Sequence, residues 1–250
     1  MEGKRWQPIA LYAWSFIIVL CLGGAASAES YPFDDTGYLG EAALMTVWRE
    51  TLARQRQDSA DLSDCIADRD TCRDVHQGLS HLLDRAGSLS ESRQISIVNH
   101  YVNRKRYRID RARRISTDPD SEPLKYRSRW ATVTEFIERG GDCEDYATTK
   151  YFLLRELGIP ADRLRIVIAY DHGARSHHAV LAIRTVEDEV LLLDTDSIIR
   201  RGHRHDYRFI YSLNELSIWD HEAPEQGAAV SGIGPASGTP NPILKEERSS

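Results

Sequence analysis

The chain has 250 residues, 41% of them apolar and 28% charged, enough to bury one good core with a small accessory element. That composition excludes a disordered or collagen-like chain. A formal charge of −6 gives no overall electrostatic reason to expect a nucleic-acid partner.

Lys4 and Arg5 precede an apolar run from Ile9 to Leu22, followed by Gly23-Gly24 and Ala26-Ser27-Ala28. This is the order of a secretory signal, residues 1–28, with cleavage expected after Ala28 and delivery to the periplasm. The competing reading is an uncleaved membrane anchor, for which the run is short against the roughly 20 residues a spanning helix requires. Cys21 follows Leu20, where a lipoprotein signal needs a small residue, which argues against lipidation. The exported chain keeps three cysteines in an oxidising compartment. Cys65 and Cys72 are close enough to close a short loop between helices and are expected to bond. Cys143 is left over, and an unpaired exported thiol asks for an explanation.

Residues 29–89 read as a helical N-terminal region. Leu39, Ala42, Ala43, Met45, Val47 and Trp48 mostly share one helical stripe, as do Val75, Leu79, Leu82, Leu83 and Ala86. A core over residues 90–221 opens with a helix capped by Ser90 and carrying Ile95, Val98 and Val102. The stretch RKRYRIDRARR (104–114) is locally basic, a solvated face first and a docking surface for an acidic partner second. Turn residues make TDPDSEP (117–123) a loop. Thr132 and Glu135 form a capping box for a short helix ending at Gly140-Gly141. The next helix starts at Asp142 or Cys143, carries Ala147, Tyr151, Leu154 and Leu157 on one face, and stops at Gly158 before Pro160.

Thereafter LRIVIAY (164–170), HAVLAIR (178–184), VLLLD (190–194) and RFIYSL (208–213) read as strands of a sheet. Tyr207, Phe209 and Tyr211 alternate as one core face. His203 and His205, spaced with Asp206, are too weak a metal signal and read as loop residues. Residues 222–250, rich in Gly, Pro, Ala and Ser, read as a disordered tail.

The chemistry concentrates in GGDCEDYA (140–147). A cysteine in a helix's first turn has its thiolate favoured by the helix dipole and free N–H groups. The sheet offers His177 and His178, whose side chains alternate faces, and Asp194 to fix an imidazole tautomer. A hairpin centred on Val186 sets His178 opposite Asp194 and leaves His177 out of phase and structural. A slip of register reverses that choice. Asp142, Glu144 and Asp145 crowd the sulfur with negative charge. Two unit charges about 4 Å apart interact by roughly 4 kcal/mol at an effective dielectric of 20, so these acids oppose a thiolate. A divalent cation reverses that sign, and calcium takes carboxylate oxygens in irregular geometry. The competing reading is that acids simply suit a helix start.

GGDCEDYA, HHAVLAI, LLLDTDS and the upstream RWATVTEF together resemble the bacterial transglutaminase-like cysteine peptidases of the LapG type, periplasmic proteases that clip large surface adhesins. The resemblance spans roughly residues 95–219. It implies an α+β, papain-like or transglutaminase-core fold, with a helical N-terminal half packed on an antiparallel sheet. It also implies Cys143 as nucleophile, His178 as base, Asp194 as its orienting acid, and calcium on Asp142 and Glu144. The implied substrate is the N-terminal region of an adhesin controlling attachment and biofilm, and the implied partner is an inner-membrane cyclic-di-GMP receptor that sequesters the protease. The family commonly has an acid shortly before the upstream tryptophan, whereas this chain reads Tyr126-Arg127-Ser128-Arg129-Trp130. Three other readings stay open: a transglutaminase passing the acyl group to an amine, a non-catalytic module that binds calcium or partners, and a zinc site built from Cys143 and a histidine.

Overall fold

In the computed structural model, residues 31–34, 37–68, 70, 72–109, 129–202 and 206–221 are described. The signal, the 117–123 loop, His203, His205, the end of the basic run and the tail lie outside them. Five helices, α1 (Thr46–Ala67), α2 (Asp74–Gly87), α3 (Glu91–Asn103), α4 (Val133–Arg139) and α5 (Cys143–Glu156), precede most of the sheet. Its strands are β1 (Gly37–Glu41), β2 (Leu164–Asp171), β3 (Ser176–Arg184), β4 (Val190–Leu193), β5 (Ile199–Arg201), β6 (Tyr207–Leu213) and β7 (Ser217–Asp220). They form one antiparallel sheet in the order β1-β7-β6-β2-β3-β4-β5. The fold is α+β.

Helices cover one face of the sheet. Ile166, Ala179, Leu181, Ile183 and Leu193 pack there with Tyr151, Leu153 and Leu154 of α5 and with Ile95, Val98 and Val102 of α3. The other face carries a smaller layer in which Tyr31 and Phe33 lie on Val167, Ala169, Val180, Ala182, Leu192, Tyr207 and Phe209. Both faces of the central strands are therefore apolar, which explains why LRIVIAY and HAVLAIR are nearly continuous hydrophobic runs. Trp48 anchors α1. Its fully buried ring stacks on Phe152 at 5.5 Å, and its indole N–H donates to the Asn214 carbonyl at 2.8 Å.

Two expectations for the N-terminal half change. The stripe begun at Leu39 is not one helix: Gly37–Glu41 pairs with β7 as an edge strand, with Tyr38 and Leu39 exposed, and α1 starts at Thr46. The helix then continues to Ala67 on buried Thr51 and Gln55 as well as Leu62 and Cys65, so an apolar pattern alone does not show its length. Cys65 and Cys72 are bonded across the α1–α2 turn, as expected. Ser90 precedes α3, but its hydroxyl lies 3.3 Å from that of Ser92 and makes no capping bond.

The segments around the cysteine follow their local chemistry. Thr132 and Glu135 form the expected capping box of α4, with the Glu135 side chain accepting from the Thr132 N–H at 3.0 Å. Gly140 has φ of 74°, and a Cβ there would lie 2.0 Å from the Arg106 carbonyl oxygen, so only glycine permits this approach. At the far end of α5 the Ile159 N–H donates to the Leu154 carbonyl and the Gly158 N–H to that of Arg155, a Schellman stop with Gly158 at φ of 91°.

Candidate active site

Cys143 is the first residue of α5, with Asp142 as its N-cap. The Asp145 carboxylate braces this start, accepting from the Asp142 N–H at 3.2 Å and from the Ala131 N–H at 2.6 Å. The thiol is half-buried and donates to Glu144 Oε2 at 3.2 Å. Burial pushes the thiol up, and the charge and hydrogen bond of Glu144 push it further; the Ala179 backbone N–H, directed at the sulfur, works the other way. Glu144 is itself raised, by burial and then by the charge of Asp142. Burial raises Asp145 to about 7 against the pull of the Ala131 N–H.

Histidine and aspartate meet in the sheet. His178 Nε2 lies 2.7 Å from Asp194 Oδ1. Asp194 Oδ2 accepts from the Tyr207 hydroxyl at 2.7 Å, and Oδ1 also accepts from the Thr195 N–H at 2.6 Å. Burial opposes the Asp194 charge, but His178, Tyr207 and Thr195 outweigh it and hold the carboxyl well below the usual range. The carbonyl of the same residue is clamped too, by Lys150 Nζ at 2.6 Å and Asn103 Nδ2 at 2.8 Å. Lys150 is fully buried, and desolvation lowers it to about 7 although Asp194 and Asp196 favour its charge.

The register differs from the expected one. Leu181 pairs with Leu193 and Arg184 with Val190, which centres the hairpin on residue 187 instead of Val186. Pair sums shift by two, an even number, so His178 keeps the face of Asp194. Continued one step, the ladder sets Asp194 opposite Val180 and makes His178 its diagonal neighbour. His177 remains out of phase and meets the Tyr170 ring edge-on at 5.8 Å.

Alternation does not aim His178 at the helices, however. Ala179 and Leu181 face α5, whereas Val180 belongs to the Tyr31 layer, so His177 has the helix-facing phase. What joins the two halves is the edge of β3. Pairing with β4 covers only Leu181 to Arg184, and the open edge before it presents the Ala179 N–H to the sulfur. Here a cleft of about 380 Å³ is lined by Cys143, Glu144, His177 and His178 among Met45, Trp130, Ile168 and Tyr211. Tyr211 reaches it because the β2–β6 register shifts between Ile168 and Ala169. That bulge removes Tyr211 from the face of Tyr207 and Phe209, against the simple alternation expected of the three.

The sequence profile of the bacterial transglutaminase-like cysteine proteinases (BTLCP) matches residues 62–221. The chain belongs to this family. Among solved structures, calcium-bound LapG of Legionella pneumophila is similar at 29% identity and a TM-score of 0.51, covering 68% of this chain and 92% of that one. EGTA-treated LapG of the same organism is similar at 29% identity and a TM-score of 0.51, over 65% and 86%. A search of curated proteins found no match. The fold is thus transglutaminase-like and the protein a LapG-type cysteine peptidase.

For this peptidase, the structure brings Cys143, Glu144 and His178 to one cleft, with Asp142 buried at the α5 N-cap beside it, and seats Asp194 behind His178. Among the described residues, no group of three His, Cys, Asp or Glu side chains gathers as a metal site. Arg129, next to Trp130, forms an ion pair with Glu135. Sequence reasoning missed Tyr207 as a partner of Asp194, along with Lys150 and Asn103; a lysine at a core-facing position of α5 is the one signal that points to a buried acceptor.

Proposed function

We propose that the protein is an exported, calcium-dependent cysteine endopeptidase that cuts a large surface adhesin near its N-terminus, with Cys143, His178 and Asp194 as its catalytic groups. The observation that carries this reading is the 2.7 Å His178–Asp194 bond beside a cleft that also exposes Cys143. With Nε2–H given to Asp194, ring Nδ1 is left to take the thiol proton. The sulfur then attacks the scissile carbonyl carbon, and the carbonyl π pair moves onto oxygen, where the Cys143 backbone N–H at the start of α5 stabilises it. Collapse breaks the C–N bond and the leaving amine takes the proton from His178. Water, deprotonated by His178, attacks the thioester and releases the acid, and the sulfur recovers its proton.

Asp142 and Glu144 fit a hard cation. They offer adjacent carboxylate oxygens, and the charge of Asp142 already destabilises that of Glu144. Calcium held by this pair would supply positive charge that offsets their opposition to the thiolate. Calcium in a solved LapG of similar fold supports this assignment. Export rests on the signal pattern of residues 1–28; the adhesin substrate, a role in biofilm and attachment, and sequestration by a cyclic-di-GMP receptor rest on the LapG-type resemblance.

The test incubates purified wild-type and Cys143→Ala protein with N-terminal adhesin fragments, with and without a calcium-selective chelator. Discrete cleavage by the wild type alone, blocked by chelation and restored by calcium, is expected. Cleavage by the alanine variant, or transfer of an added primary amine in place of hydrolysis, would overturn the reading.

A further inference from the structure

Beside the start of α5 lies a second, larger cleft of about 960 Å³, whose described lining includes Arg106, Arg108, Arg129 and Arg139 and the acids Glu135 and Asp145. Both acids are engaged inside the protein, Glu135 with Arg54 at 2.6 Å and with Arg129, and Asp145 with two backbone N–H groups. Arg108 donates to the Arg139 carbonyl at 3.1 Å, while Arg106 and Arg139 expose their side chains at the rim. The local excess of positive charge contrasts with the −6 of the whole chain. A helix-end arginine such as Arg139 suits the α4 dipole by itself, but the dipole gives no account of Arg106, which precedes the strand-like contact between Tyr107 and Gly141.

This basic cleft adjoins the reacting sulfur. Gly140 and Gly141, which line it, lead directly into Asp142 and Cys143. Tyr107 also lines it, bridged to Gly141 and with its ring 5.9 Å from that of Tyr146 in the first turn of α5. Across the sulfur the first cleft is mostly apolar, with Met45, Val47, Trp130, Ile168 and Ala179. The two sides of Cys143 therefore differ in chemistry.

We infer that the arginine-lined cleft is a substrate subsite that takes an acidic stretch of peptide on one side of the scissile bond. The inference rests on the peptidase reading and narrows it to a substrate class. Carboxylates matched to guanidinium groups beside a site of cleavage select for sequence by charge, with an energy that salt weakens.

The test uses peptides with a common apolar stretch flanked on either side by three Asp/Glu residues or by Gln. Turnover by the wild type and binding to Cys143→Ala protein are both measured at fixed calcium and ionic strength. The wild type is expected to favour an acidic flank on one side by about tenfold in kcat/KM, equal to about 1.4 kcal/mol, chiefly through KM. In Arg106→Gln/Arg139→Gln the ratio should collapse toward one, and in Arg106→Lys/Arg139→Lys it should persist, with unchanged Tm showing that both fold. Turnover with no flank preference, or a preference that survives the Gln pair, overturns the subsite. Acid-selective binding that the Gln pair abolishes, without turnover of any peptide, supports the subsite and overturns the peptidase reading instead.

Discussion

The two halves of the active site differ in how complete they are. On the sheet side, Asp194 is held at both ends: its carboxylate by His178, Tyr207 and Thr195, its carbonyl by Lys150 and Asn103. Every one of these partners favours an ionised, fixed Asp194 or a fixed loop around it. On the helix side, the charges oppose one another. Cys143 lies against Glu144, and Glu144 against Asp142, so burial and like charge disfavour the reactive form of the sulfur. In the proposed mechanism the chain alone pre-organises the acid–base pair, while a nucleophile among carboxylates would need a cation. On that proposal the thiol would stay weak until an ion is bound.

The contrast can be broken at its strongest point first. Cys143→Ala should abolish cleavage with circular dichroism and Tm retained, and His178→Ala should lower kcat/KM by about 10⁴-fold, the upper end of what loss of a general base costs. His177→Ala should lose far less, and equal loss at both histidines would show that the phase shared with Asp194 does not choose the base. Asp194→Asn should cost on the order of 10³-fold or more in kcat by releasing the imidazole's tautomer. Asp142→Asn/Glu144→Gln should reduce cleavage and its calcium dependence together, measured by calcium titration of the initial rate. Full activity in that double variant would remove calcium from the account.

The smallest effect sharpens the sheet half. Tyr207→Phe removes one hydrogen bond to a charged acceptor and should lower stability by about 1.5 to 3 kcal/mol near pH 7. Asp194 is depressed in the folded state, so its contribution is present above the unfolded value of about 3.9 and is lost as pH falls through the folded one. The difference between Tyr207→Phe and wild type in denaturant unfolding should accordingly narrow below about pH 4.

Legibility in the sequence tracked locality. The α4 capping box, the α5 start and stop, the short disulfide loop and β2, β3, β4 and β6 are specified by neighbouring residues, and each was readable from them. The β1 edge strand was not, because its partner β7 lies at the other end of the described chain and its own Tyr38 and Leu39 face solvent. The full length of α1 was hidden by buried Thr51 and Gln55, whose polar groups also bond to Trp130 and Val133, far along the chain. At the site, Asp194 and His178 could be matched by strand parity, which survives an even slip. The open β3 edge at Ala179 and the bulge that redirects Tyr211 depend on where β4 stops and how β6 pairs, and no local pattern encodes either.

The most direct measurement is the rate at which Cys143 is alkylated, followed by mass spectrometry across pH, with and without calcium, in wild type, His178→Ala and Glu144→Gln. Calcium should accelerate modification of the wild type. Glu144→Gln should react faster than wild type without calcium, since a negative charge beside the sulfur is gone, and His178→Ala should react more slowly throughout. A sulfur equally inert in all three proteins, with calcium or without, would contradict the assignment of Cys143 as a nucleophile held in check by its neighbouring acids.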